Sequence, residues 1–77
     1  MKALLNKYDD PRLSECVWVS KCDKVFANHG AEEYGFTVGK EYEILEVTPL
    51  GYLRMKNDQG EIDNYIVEYF QKHRPVV

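Results

Sequence analysis

Apolar residues in this chain recur mostly at every second position, the spacing of strands that bury one face. In "ECVWVSKC" (15–22), Cys16, Trp18, Ser20 and Cys22 alternate with Val17, Val19 and Lys21. Its β-branched and aromatic content predicts a first strand. "FTVGKEYEILEV" (36–47) begins in the same way after a glycine turn and then changes phase. Tyr42 and Ile44 share one face, whereas Leu45 and Val47 lie on the other. A strand whose buried side switches halfway serves two sheets, as at the corners of small, strongly bent barrels.

A tight hairpin is predicted in "YLRMKNDQGEIDNYI" (52–66). With Asn57-Asp58-Gln59-Gly60 as a four-residue loop on a type I turn, glycine takes its left-handed end. Lys56 then faces Glu61, Arg54 faces Asp63, Tyr52 faces Tyr65 and Met55 faces Ile62. Opposite charges and an aromatic pair would each contribute up to ~1 kcal/mol. A register shifted by one residue would set Met55 against Asp63 and lose most of these pairs.

Elsewhere the period is weaker. "DKVFANHGAEEYGF" reads as a long excursion with a short strand in "KVFA". "IVEYFQK" fits a 3₁₀ or α turn that closes the domain, with Tyr69 and Phe70 divided between surface and core. Residues 1–14 are expected to be an N-terminal arm. "LLNKY" could form one helical turn, too short to be stable alone, so Leu4, Leu5 and Tyr8 either cap the core or move freely. The domain proper is expected over 15–72, with 73–77 a frayed tail.

The expected class is therefore all-β, mainly antiparallel: about five strands with a short closing turn and an N-terminal extension. From about Val17 to Phe70 the chain resembles SH3-like domains, and more specifically the short SH3-like barrels of bacteria and their phages. The cadence "TVGK-Y-ILE … GY … ND-G-E" carries that resemblance. It implies a small barrel that binds proteins, with a modulator or inhibitor of a host protein as one form. Within it, Tyr52 stands where the groove tryptophan would follow the glycine. Tyr69 stands at the groove tyrosine, and Ile66 replaces the usual groove proline. The aromatic signature that opens the long loop is missing, so docking of PxxP helices between aromatic ridges is not expected.

Seventy-seven residues hold one core, and a chain of this size buries only about 60–65% of its unfolded surface. A net charge of −3 with scattered basic residues argues against general nucleic-acid affinity. The opening "MKALLNKYDD" lacks a secretory pattern and no stretch is long enough to cross a bilayer, so the expected location is cytoplasmic. Cys16 and Cys22 would lie roughly 20 Å apart on a strand, too far for a disulfide, and are expected to be reduced thiols.

Neither a catalytic nor a metal constellation is evident. Cys16, Cys22, His29 and His73 lack knuckle spacing, Cys22 and His29 lack a third orienting group, and "GKE" (39–41) is no phosphate loop. No cofactor is expected, and Trp18 is expected in the core. The candidate partner-binding residues are Tyr34, Phe36, Tyr52, Arg54, Tyr65 and Tyr69, read as an exposed aromatic patch against the alternative of barrel packing. Glu32, Glu33, Glu41, Glu43 and Glu46 are either an acidic contact surface or a solvated face. The expected function is a non-enzymatic protein-binding module. The alternatives are a nucleic-acid-associated barrel that stacks bases on its aromatics and a structural homo-oligomer with paired edges.

Overall fold

The first surprise lies at the N-terminus. In the computed structural model, which describes residues 1–10 and 12–75, Lys2–Asn6 is a strand (β1) and not a loose arm. It pairs antiparallel with β2 (Cys16–Ser20) in the register Lys2↔Ser20 to Asn6↔Cys16. The alternation explains it. Ala3 and Leu5 face inward beside Val19, and Leu5 is fully buried, which contributes about 1.5–3 kcal/mol toward ordering the segment. A helical turn over "LLNKY" would leave Leu5 without that cover. The same inward set corrects Trp18. Because Val17 and Val19 take the core side of β2, Trp18 must face out, and it is 62% exposed.

β3 (Lys24–Ala27) follows after a tight turn in which Asp23 N bonds Ser20 O at 3.1 Å. Cys22 sits there at φ 76°, the left-handed geometry that this position of a type II turn requires. β3 lies at the centre of a three-stranded sheet, between β4 (Glu41–Glu43) and β8 (Phe70–Gln71). A second three-stranded sheet has the order β5 (Glu46–Val47), β6 (Leu53–Lys56), β7 (Ile62–Tyr65).

The segment after Gly39 joins these two sheets, as its change of phase predicts. Ile44 N bonds Asp23 O at 2.9 Å and prolongs the pairing with β3; one residue later Leu45 N bonds Arg54 O at 2.9 Å and opens the pairing with β6. Tyr42, Ile44 and Val47 are all buried, in different layers of one core. The architecture is all-β and antiparallel, and among the described residues none of the three sheets closes on itself.

Two 3₁₀ turns complete the chain, Ala31–Tyr34 in the long loop and Val67–Tyr69 before β8. The second divides its aromatics as expected: Phe70 is fully buried and Tyr69 only partly so. The expected tail also proves partly fixed. Lys72 N and His73 N bond Asn6 O and Lys7 O at 3.0 Å each, His73 stacks on Tyr8, and Arg74 lies over Phe26. The rest of that tail, residues 76–77, lies outside the described residues. No helix among those described is long and apolar enough to cross a membrane.

The β6–β7 hairpin differs from its expected register by one residue. The observed pairs are Leu53↔Tyr65, Arg54↔Asn64, Met55↔Asp63 and Lys56↔Ile62. Asn57 is the cause. Its N–H bonds Glu61 O and its C=O accepts from Gly60 N, so the loop proper is only Asp58-Gln59-Gly60, a type I turn closed by glycine at φ 83°. The Asn57 side chain is buried and replaces the lost charge pairs: Oδ1 accepts from Gln59 N (3.0 Å) and Glu61 N (2.9 Å).

Candidate functional site: a tyrosine cluster beside an acidic groove

Tyr34, Tyr65 and Tyr69 come from three elements distant in sequence and meet at one surface. Tyr34 lies 5.0 Å from Tyr69 and 5.8 Å from Tyr65 by ring centroids, and the Tyr34 and Tyr69 hydroxyls are 3.3 Å apart. Beneath them Phe36 makes edge-on contacts with Tyr65, Tyr42 and Phe70 at 4.9–5.1 Å. Phe36 is only 3% exposed, which corrects its place among the partner-contacting residues: it is the cluster's base.

The chain needs two glycines to build this arrangement. Gly30 and Gly35, at φ 97° and 89°, flank the first 3₁₀ turn, which directs Tyr34 outward and Phe36 inward while Ala31 anchors the turn in the core. Gly30 also permits close approach, since a Cβ there would lie 3.2 Å from ring carbons of Tyr69.

The tip of the β6–β7 hairpin clamps the long loop. Asn57 Nδ2 donates to Tyr34 O at 2.8 Å, and Asp58 N donates to Gly35 O at 2.9 Å. The Asp58 carboxylate then gathers Thr37 Oγ1 (2.6 Å), Tyr42 OH (2.8 Å) and Lys40 Nζ (2.8 Å). These donors, the Lys40 ammonium first among them, bring the Asp58 pKa down to about 2. Tyr42 OH, in turn, accepts from Thr37 N at 2.8 Å.

Beside the cluster, between the long loop and the hairpin, lies a groove of about 470 Å³. Glu32, Glu33, Glu61 and Asp63 line it together with Tyr34 and Tyr65, and among the described residues no lysine or arginine does. Burial pushes the Tyr65 hydroxyl pKa up, and the charges of Asp63 and Glu61 push it further. The hydrogen bond to Tyr34, followed by burial and by neighbours that include Glu33, raises that of Tyr69. A negative field thus reaches the tyrosine rings.

The structure brings together Tyr34, Tyr65 and Tyr69 from the sequence set, with Phe36 below. It separates Tyr52 and Arg54. Tyr52 closes a turn with Thr48, Tyr52 N bonding Thr48 Oγ1 at 3.0 Å, and Arg54 leans toward Asn64 Oδ1 at 3.5 Å. The one-residue register change is the reason: Tyr65 shares the side of buried Leu53, and Tyr52 has no place opposite it. The acidic set divides too. Glu32 and Glu33 line the groove, whereas Glu43 and Glu46 approach Lys24 (3.7 Å) and Lys21 (3.9 Å). Among the described residues no three His, Cys, Asp or Glu side chains converge on a metal position.

Sequence reasoning missed Asn57, Asp58, Glu61 and Asp63. One signal was present: an asparagine opening a glycine-closed turn is suited to cap the amides two residues and more ahead. No protein-family model, curated protein or solved structure matches the chain.

Proposed function

We propose that the chain is a non-enzymatic, SH3-like protein-binding module that holds a cationic segment of its partner in the groove beside Tyr34. The observation that carries this reading is the junction of three surface tyrosines with a groove walled by four carboxylates and, among the described residues, no cation. Tyrosine rings offer large contact area at low entropic cost and attract guanidinium and ammonium groups over their faces. Carboxylates complement the same groups and accelerate encounter. Two three-stranded sheets that share one bent segment, with a 3₁₀ turn before the last strand, support the SH3-like part of the reading. A modulator of a host protein is the form the sequence resemblance suggests.

The wall's charge opposes a phosphate backbone, so the competing nucleic-acid reading predicts the opposite preference. Fluorescence polarisation with a labelled arginine-containing peptide and with a single-stranded oligonucleotide, across a salt series, distinguishes the two. Saturable, salt-sensitive peptide binding is expected, weakened at least tenfold by Asp63→Lys and by Tyr34→Ala with the fold retained. Oligonucleotide binding that outcompetes the peptide, or peptide binding indifferent to both substitutions, overturns the proposal.

A further inference from the structure

The outer edge of β2 carries an unanswered hydrogen-bonding pattern. Lys7 N donates to Glu15 O, which sets the phase of the β1–β2 ladder. Val17 and Val19 therefore direct their peptide groups toward β1, and Cys16, Trp18 and Ser20 direct theirs away. Ser20 is satisfied within the chain, since its N–H bonds Asp23 Oδ2 at 2.8 Å and its C=O accepts from Asp23 N. Cys16 and Trp18 have no such closure among the described residues. The side chains mark the same place: Trp18 is 62% exposed and its cross-strand neighbour Leu4 47%. Open edges are ordinarily guarded by a charge, a proline or a bulge, yet 16–20 is the uncharged run "CVWVS".

We propose that β2 pairs antiparallel with β2 of a second copy about a two-fold axis at Val17. In that register Cys16 of one copy stands opposite Trp18 of the other, twice. The two N–H and two C=O groups left free on each edge then meet in four bonds with none left over, as an isologous contact allows. The Asp23 closure of Ser20 ends the ladder at the next bonded pair, so the match is confined to the groups that need it. Each copy carries a net charge of −3, but the facing strands hold no charge between Glu15 and Lys21 and meet without repulsion. Each Trp18 ring gains cover from the opposite Cys16 while keeping Leu4 on its other side. A five-residue edge buries less than the roughly 1,200 Å² at which stable interfaces begin, so the dimer is a weak one that forms at high protein concentration.

Sedimentation of the whole chain from about 10 μM to about 1 mM should show reversible dimerisation. Amide exchange at Cys16 and Trp18 should slow in parallel as concentration rises. Trp18→Lys, which alters only an outward side chain, should weaken the dimer at least tenfold with an unchanged melting curve. In a Cys22→Ser background, Trp18→Cys should yield under mild oxidation a disulfide between position 18 and Cys16 of the second copy, because bonded pairs lie about 5.5 Å apart. A monomer at 1 mM, a dimer that leaves those two amides exchanging freely, one equally strong in Trp18→Lys, or a dominant Cys16–Cys16 link would each overturn the proposal. The exchange measurement uses the unaltered chain and so stands even where a variant folds poorly.

Discussion

Replacing Asn57 with alanine tests how the site is held together. Its side chain makes four hydrogen bonds: Nδ2 to Tyr34 O (2.8 Å) and Glu61 Oε1 (3.1 Å), and Oδ1 from Gln59 N and Glu61 N. Each such bond has a net worth of about 1 kcal/mol. Gln59 and Glu61 are exposed, so water recovers part of what their amides lose. Asn57 itself is 6% exposed, and the vacated space offers Tyr34 O little compensation. The expected loss is about 2–3 kcal/mol, a large share of the roughly 4–12 kcal/mol ordinary for a chain of this length. Urea unfolding followed by far-ultraviolet circular dichroism is the suitable assay, since exposed Trp18 would report poorly by fluorescence. The amide resonances of Tyr34 and Gly35 should shift as the long loop loses its clamp. Asn57→Asp keeps both acceptances but faces Tyr34 O and Glu61 with negative charge, so its deficit combines the lost Nδ2 donations with that repulsion. A cost below about 0.5 kcal/mol for Asn57→Ala would refute the clamp, and with it the cause assigned to the hairpin's observed register.

Three further outcomes follow from local geometry. Asp58 has its pKa depressed from 3.8 to about 2 by Lys40, Thr37 and Tyr42; a depressed carboxyl stabilises the fold above the unfolded pKa and loses that contribution as pH falls from about 4 toward 2. Because Lys40 and part of Asp58 are exposed, the contribution is about 1 kcal/mol, and Asp58→Asn should flatten the acid limb of a stability–pH profile. Gly35→Ala adds a Cβ at φ 89° against Gln59 Oε1 and 2.8 Å from Asn57 Nδ2, so a loss of about 2 kcal/mol, or about 8–16 °C in Tm, is expected by calorimetry. Cys22→Gly removes the strain of a non-glycine residue at φ 76°, and a gain of about 0.5–1 kcal/mol should appear in the same measurement.

What the sequence disclosed and what it concealed have separate physical origins. The corner after Gly39 was legible because burial leaves a mark at every second residue. A change of phase between Ile44 and Val47 can bury both side chains only if the strand crosses from one layer to another. The closing turn was legible for a similar reason: Tyr69 and Phe70 are adjacent and cannot share a face. Trp18 was misplaced because alternation identifies two faces without saying which is inside. Only β1 decides that, by setting Ala3 and Leu5 beside Val19. The hairpin register was missed because cross-strand charge pairs were weighed and a single buried amide was not. Lys56–Glu61 and Arg54–Asp63 would have been exposed pairs, worth little in water, whereas Asn57, itself buried, makes four hydrogen bonds.

That one-residue difference also decides the candidate site. In the expected register Tyr65 faces Tyr52 on a wet surface beside Arg54, a patch of mixed charge. In the observed one Tyr65 moves to the side of Leu53 and rests on Phe36, while Glu61 and Asp63 come to the groove beside Glu32 and Glu33. The groove's negative character is therefore a consequence of the turn. A hairpin whose loop took in Asn57 as a fourth residue would carry Asp63 opposite Arg54 and Glu61 opposite Lys56 and neutralise half of that wall. Asn57→Gly removes the side chain that holds the three-residue loop and lets position 57 enter the turn, so it should shift the cross-strand amide contacts by one residue and weaken binding of an arginine-containing peptide together. A variant with the shifted register and undiminished peptide affinity would separate the groove from the function argued for it.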